Sequence, residues 1–191
     1  ESIRQPVFTV LLLVIGVALV LNPSLSAYTF DDDNKILIDM GLSTILIGGL
    51  LLAAFTAAGV LSREIDNKTV LTVISKPIGR PTFVAGKFLG VTAAIVMACW
   101  IWAVIFLLTV RHGVMSTAAD AYDMPVILFG LGAAVIAFAI AVWGNYFYGW
   151  VFTSTLSIAL AAGITIAYLF VLVIGQDWQF QAITAEFTKD V

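Results

Sequence analysis

Five apolar stretches alternate with polar connections along the chain. They predict membrane-spanning helices at residues 5–22, 40–61, 83–110, 125–143 and 150–174. Met40–Leu61 carries no charge over 22 residues, and as a helix it rises about 33 Å, enough for a hydrocarbon core of about 30 Å. We expect Asn22 and Pro23 to end the first span, because proline cannot continue a helix.

Composition places the chain among membrane proteins. Hydrophobic residues make up 61% of it, charged residues only 11%, and the mean hydropathy is +1.07. These values predict an all-α, polytopic helical membrane protein with a single transmembrane domain over residues 1–191. The net charge is -3, and no basic face is left over for nucleic acid.

The basic residues are concentrated in one connection, the coupling loop at residues 62–87. It holds five of the nine Lys and Arg residues, which are Arg63, Lys68, Lys76, Arg80 and Lys87. Loops rich in Lys and Arg stay in the cytoplasm, so we place residues 62–87 there. Because the number of spans is odd, the segment 176–191 is then outside, where the spacing of Trp178, Phe180, Ile183 and Phe187 suggests a short interfacial helix.

Three shorter features complete the outline. Residues 144–150 form an aromatic-rich sequence that we interpret as a tight turn at the cytoplasmic interface. Trp100 and Trp102 lie too deep in their span for an interfacial belt, so we expect them to fill space between helices. Small residues allow close approach of helix backbones, and we predict helix packing at Gly48, Gly59, Gly86 and Gly90.

Catalytic and metal-binding chemistry is not indicated. His112 and Cys99 are each the only residue of their type, so neither a zinc site nor a disulfide is expected. The spans carry no Asp, Glu or His at membrane depth, which argues against a carrier driven by protons or sodium. Gly79, Gly86 and Lys87 do not have the spacing of a nucleotide-binding loop.

The coupling loop has its own local pattern. Residues 63–75 can form an amphipathic helix parallel to the membrane, with Val70, Val73 and Ile74 on one edge, extended by Leu71. Pro77, Gly79 and Pro81 then predict a turn over residues 75–81.

This loop resembles the one after the second span in permease subunits of type-2 ATP-binding-cassette exporters. The shared pattern is an acidic residue, a threonine, an apolar pair, a Pro-x-x-Arg turn and a Gly-Lys entering the third span, matched here by Glu64, Thr69, Leu71, Pro77, Arg80, Gly86 and Lys87. The opening residues 1–13 resemble the connecting helix of the same family. A sixth span and the true amino terminus, which the family pattern includes, are expected to be missing from this sequence.

The resemblance implies a permease subunit in the bacterial inner membrane, surrounded by lipid and paired with a second permease subunit as a homo- or heterodimer. A separate cytoplasmic ATPase subunit would bind ATP and Mg²⁺, and this chain would bind no cofactor. The ATPase-coupling residues implied are Arg63, Glu64, Asp66, Lys68, Thr69, Val70, Leu71, Val73, Ile74, Pro77 and Arg80. The exported substrate is not indicated by the residues.

Two other functions remain open at this point. The chain could be a structural or anchoring membrane subunit of a larger complex, in which the loop docks a soluble protein without transport. It could also be a membrane-embedded enzyme or secondary carrier, if a further segment supplied a buried carboxylate. Substrate-stimulated ATP hydrolysis by the reconstituted complex separates the first of these from an exporter.

Overall fold

The computed structural model describes residues 2–27, 33–66, 80–115 and 122–181. A 3₁₀ turn at Ser2–Arg4 precedes five long helices. They are α1 (Pro6–Ser26), α2 (Asp33–Asp66), α3 (Arg80–His112), α4 (Met124–Tyr148) and α5 (Phe152–Val173). The predicted all-α fold with five long apolar helices is confirmed, and each helix is long and apolar enough to cross a membrane.

Helix α3 is the centre of the bundle. It packs against α1 and α2 on one side and against α5 on the other, while α4 packs mainly against α5. The carboxyl half of α3 is buried, and Trp102 there is fully enclosed and donates from Nε1 to the carbonyl oxygen of Leu12 on α1 at 3.0 Å. The prediction that Trp102 fills space between helices is therefore confirmed.

The second tryptophan predicted to fill space behaves differently. Half of the Trp100 side chain is exposed, and its Nε1 donates to Thr165 Oγ1 on α5 at 3.0 Å. Thr165 also donates to the carbonyl oxygen of Ala161 in its own helix. Trp100 thus ties α3 to α5 at the edge of the bundle instead of filling its interior.

The bundle has two distinct ends. The amino-terminal end carries the start of α1 and the α4–α5 connection, and a Cβ added to Gly59 on α2 would lie 2.7 Å from Gln5 Oε1. The other end, here called the Arg111 end, carries the start of α2, and a Cβ added to Gly41 would lie 2.0 Å from the Phe106 ring. An added Cβ would overlap the Phe106 ring at Gly41, whereas at Gly59 it would meet only the flexible end of the Gln5 side chain.

The prediction that Asn22 and Pro23 end the first helix is wrong. Helix α1 continues through Pro23 to Ser26, whose hydroxyl donates to the Asn22 carbonyl at 3.0 Å. Proline has no amide hydrogen, so the Leu19 carbonyl loses its helical donor, but only one turn of α1 follows and the loss is confined to that bond.

The turn predicted at residues 144–150 is also misplaced. Helix α4 continues to Tyr148, and Gly149 ends it in the left-handed region at φ 66°. The Trp150 ring folds back onto Gly144, where a Cβ would lie 2.6 Å from the ring, and Asn145 Nδ2 donates to the Trp150 carbonyl at 2.8 Å. The aromatic residues before Gly149 thus belong to the last turns of α4.

Segment 176–191 is described only as far as Gln181. Over those residues the interfacial helix predicted from Trp178 and Phe180 does not form, because the chain reverses and Phe180 pairs with Ile174 in an antiparallel bridge. The residues beyond Gln181 lie outside the described part of the chain.

Candidate functional site

The coupling loop begins and ends as extensions of two long helices. Residues 63–66 continue α2 without a break, so the separate helix predicted from Arg63 onward does not start there. At the other side α3 begins at Arg80, so the last two residues of the predicted turn, Arg80 and Pro81, are helical. Proline is accepted in the first turn of a helix. Residues 67–79 lie between them.

Most of the predicted ATPase-coupling residues therefore fall outside the described residues. These are Lys68, Thr69, Val70, Leu71, Val73, Ile74 and Pro77, together with the amphipathic edge that they were predicted to form. Arg63, Glu64 and Asp66 lie in the last two turns of α2, and Arg80 is the first residue of α3. The backbone thus brings the two groups of charges to one end of the bundle.

Both helices extend well past their uncharged portions at this end. The charge-free part of α2 ends at Leu61, and that of α3 begins at Phe88. At 1.5 Å per residue, α2 projects about 8 Å farther and α3 about 12 Å farther before residues 67–79 are reached. Within the projecting part of α3, Lys87 Nζ lies 4.9 Å from the centroid of the Phe83 ring, a cation–π contact along one face.

The four glycines predicted for helix packing fall into two pairs. A Cβ on Gly48 would lie 2.9 Å from the Ile15 side chain of α1, and Gly59 approaches Gln5 as described above. Gly86 and Gly90 on α3 face open space, with nothing of the described chain within 4 Å of an added Cβ. The first pair packs inside this chain. Gly86 and Gly90 form a strip without side chains on the exposed surface of α3.

A buried ion pair at the Arg111 end was not predicted. Arg111 closes α3 with its side chain 8% exposed, and its Nε lies 3.3 Å from Oδ2 of Asp123, which is fully buried. Asp123 Oδ1 in turn accepts from the amide of Val126 at 3.2 Å, so the carboxylate caps the start of α4.

The guanidinium of Arg111 also reaches the end of α5. Nη2 donates to the carbonyl oxygen of Ile174 at 2.7 Å, and Nη1 donates to that of Val171. We call Arg111, Asp123 and these two carbonyls the three-helix joint. Carbonyls at a helix end have no partner within the helix and carry partial negative charge, so a cation there is favourable.

The sequence contains only part of the information needed to predict the three-helix joint. An arginine ends one span, and an acidic residue stands two positions before the proline that opens the next. That pattern indicates a helix start capped by Asp123. It does not reveal which acid pairs with Arg111, since Asp120 is nearer in sequence than Asp123, and the α5 carbonyls enter only through the tertiary fold.

Metal-binding groups do not assemble in the described ranges. Among these residues no three His, Cys, Asp or Glu side chains lie close enough together to hold a metal ion. His112 contacts the Tyr122 ring with centroids 6.3 Å apart, and Cys99 is a half-buried free thiol.

Comparison with known proteins identifies one family. The family model described as ABC-2 family transporter protein matches residues 2–186, nearly the whole chain. No curated protein and no solved structure shows significant similarity to it. The match covers all five helices and the coupling loop alike.

Proposed function

The chain belongs to the ABC-2 transporter family, whose members are membrane permease subunits, and we propose that it works with a separate cytoplasmic ATPase to export a substrate. In this proposal ATP and Mg²⁺ bind to the ATPase subunit, and the ATPase subunit binds this chain at residues 62–87. The observation that carries it is the family match over residues 2–186, which includes that loop.

The distribution of charge supports the orientation. The coupling loop holds five basic residues against two acidic ones, whereas the connection at residues 22–39 holds four aspartates against Lys35. By the positive-inside rule the amino-terminal end of the bundle faces the cytoplasm. The ATPase subunit is then on the side where nucleotide is available.

The two projecting helices support a mechanical role. Residues 67–79 connect the end of α2 to the start of α3, so a partner that displaces this connection acts on both helices. The partner would bind an apolar edge, formed by Val70, Val73 and Ile74, in a groove, with the flanking charges fixing the register.

A second permease subunit is the other proposed partner. The amino half of α3 is exposed around most of its circumference, including Val84, Phe88 and Leu89, while its carboxyl half is enclosed by α1, α2 and α5. Gly86 and Gly90 would let a neighbouring helix approach this half closely. We place the second subunit against this strip.

The experiment is co-purification of this chain with the ATPase subunit of its native complex. Replacing Val73 and Ile74 together by Asp puts two charges on the apolar edge, so the ATPase should be lost during detergent purification. Arg63→Glu should weaken retention, whereas the matched reversal Lys35→Glu, at the opposite end of α2, should not. Full retention by the Asp double variant contradicts the proposal.

Transport is separated from mere anchoring by a second readout. The reconstituted complex should hydrolyse ATP faster when its substrate is present, because substrate and nucleotide act on one coupled cycle. A complex that assembles but whose hydrolysis responds to no compound exported by the cell is an anchoring assembly instead.

A further inference from the structure

The chain reverses sharply where α5 ends. The amide of Gly175 donates to the Gln179 carbonyl at 2.9 Å, that of Gln181 to the Val173 carbonyl at 2.9 Å, and that of Trp178 to the Gly175 carbonyl at 3.0 Å. We call residues 174–181 the terminal hairpin.

Trp178 occupies an unfavourable backbone conformation in this hairpin. Its φ is 59°, and it is the only non-glycine residue of the described chain with positive φ. For a bulky side chain the left-handed region is unfavourable, so the surrounding contacts must hold it there. They include the Phe129 ring of α4, 6.3 Å away between centroids, and Phe129 itself stacks on Phe170 of α5 at 5.6 Å.

The hairpin nevertheless presents its aromatic rings outward. Phe180 is 87% exposed and Trp178 is 52% exposed, and Asp177 at the turn is exposed beside them. Such rings on a structured, hydrogen-bonded loop are costly in water, and each can bury about 150–250 Å² when covered. Trp178 thus keeps an unfavourable backbone conformation in a segment whose aromatic side chains are exposed.

The position of the hairpin relative to the membrane follows from the length of α5. Its 22 residues rise about 33 Å, close to the hydrocarbon thickness of about 30 Å, so residues 174–181 fall at the headgroup level. Tryptophan and other aromatic residues are favoured at that level. This step depends on the membrane placement of the bundle and not on the proposed ATPase.

We propose that the terminal hairpin is an interfacial anchor that inserts Trp178 and Phe180 into the lipid leaflet at the Arg111 end, with Asp177 left in water. Two rings bury about 300–500 Å², less than the roughly 800 Å² per partner of a stable protein interface, so lipid is the occupant that fits. Because Arg111 bonds the Ile174 carbonyl, the anchor sets the depth of α3, α4 and α5 together.

The test places a nitroxide on the hairpin in phospholipid vesicles. In a Cys99→Ala background, Phe180→Cys carries the label, and its collision rates with oxygen and with a water-soluble nickel chelate report its depth. We expect oxygen to dominate, with a depth of about 5–10 Å below the phosphates. The matched label at Asp177→Cys, three residues earlier, should favour the nickel chelate.

Two results overturn the inference. Equal access of the nickel chelate to both labels places the hairpin in water, and spin–spin broadening of the Phe180→Cys label places a second copy of the chain against it.

A second measurement avoids cysteine altogether: lipids brominated near the headgroup should quench the tryptophan fluorescence of the native chain more than that of Trp178→Phe. Equal quenching of the two proteins contradicts the anchor.

Discussion

Neutralising Asp123 tests the role of the three-helix joint. Asp123→Asn keeps the shape of the side chain and an oxygen that can still accept from the Val126 amide, so the cap of α4 survives. What is lost is the negative charge 3.3 Å from Arg111 Nε. The substitution therefore isolates the ion pair from the cap.

The expected loss follows from the burial of both partners. Removing one member of a buried ion pair costs about 3–5 kcal/mol, because the other charge is left uncompensated. Arg111 keeps its bonds to the Val171 and Ile174 carbonyls, so we expect the lower end, about 3 kcal/mol. That is about two orders of magnitude in the unfolding equilibrium.

The assay is reversible unfolding by SDS in mixed micelles, followed by tryptophan fluorescence. Arg111→Met should cost a comparable amount, and the double variant should cost less than the sum of the two, since the pair is coupled. The matched control is Asp39→Asn, which removes an exposed carboxylate near the start of α2 and should change the free energy of unfolding by under about 0.5 kcal/mol. Additive losses, or an Asp123→Asn variant as stable as the control, would refute the reasoning.

The other stability predictions concern packing. Gly41→Ala should cost about 1–3 kcal/mol, because its Cβ would overlap the buried Phe106 ring, whereas Gly49→Ala, with its Cβ 3.8 Å from the nearest atom, should be neutral or stabilising. Trp102→Phe should cost about 2 kcal/mol, because it leaves a void and removes the donor to the Leu12 carbonyl. Circular dichroism in detergent measures both, and equal melting of Gly41→Ala and Gly49→Ala, or a native-like Trp102→Phe, contradicts them.

The helical architecture was predictable because hydrophobic length alone determines it. A backbone crossing lipid must satisfy its own hydrogen bonds, so 20 or more apolar residues imply a helix whatever surrounds them. Helix ends depend on finer features. Pro23 and the aromatic run before Gly149 both look like stops in a local pattern, yet α1 continues to Ser26 and α4 to Tyr148.

The polar contacts could be predicted only in part. Asp123 as a cap follows from its position before Pro125, but its pairing with Arg111 spans a connection whose path the sequence does not define. The reversal at residues 174–181 depends on backbone hydrogen bonds that the spacing of the aromatic residues does not indicate. The coupling role of residues 62–87 stays a prediction from charge and family resemblance.

The orientation of the coupling loop is the claim on which the proposed function depends, and two positions on α2 test it directly. Ser62 and Asn34 are both exposed, and they lie about 42 Å apart along the same helix. In a Cys99→Ala background, Ser62→Cys should react with a membrane-impermeant maleimide only in inverted vesicles, and Asn34→Cys only in right-side-out vesicles. The opposite pattern puts the coupling loop outside the cell and contradicts the account.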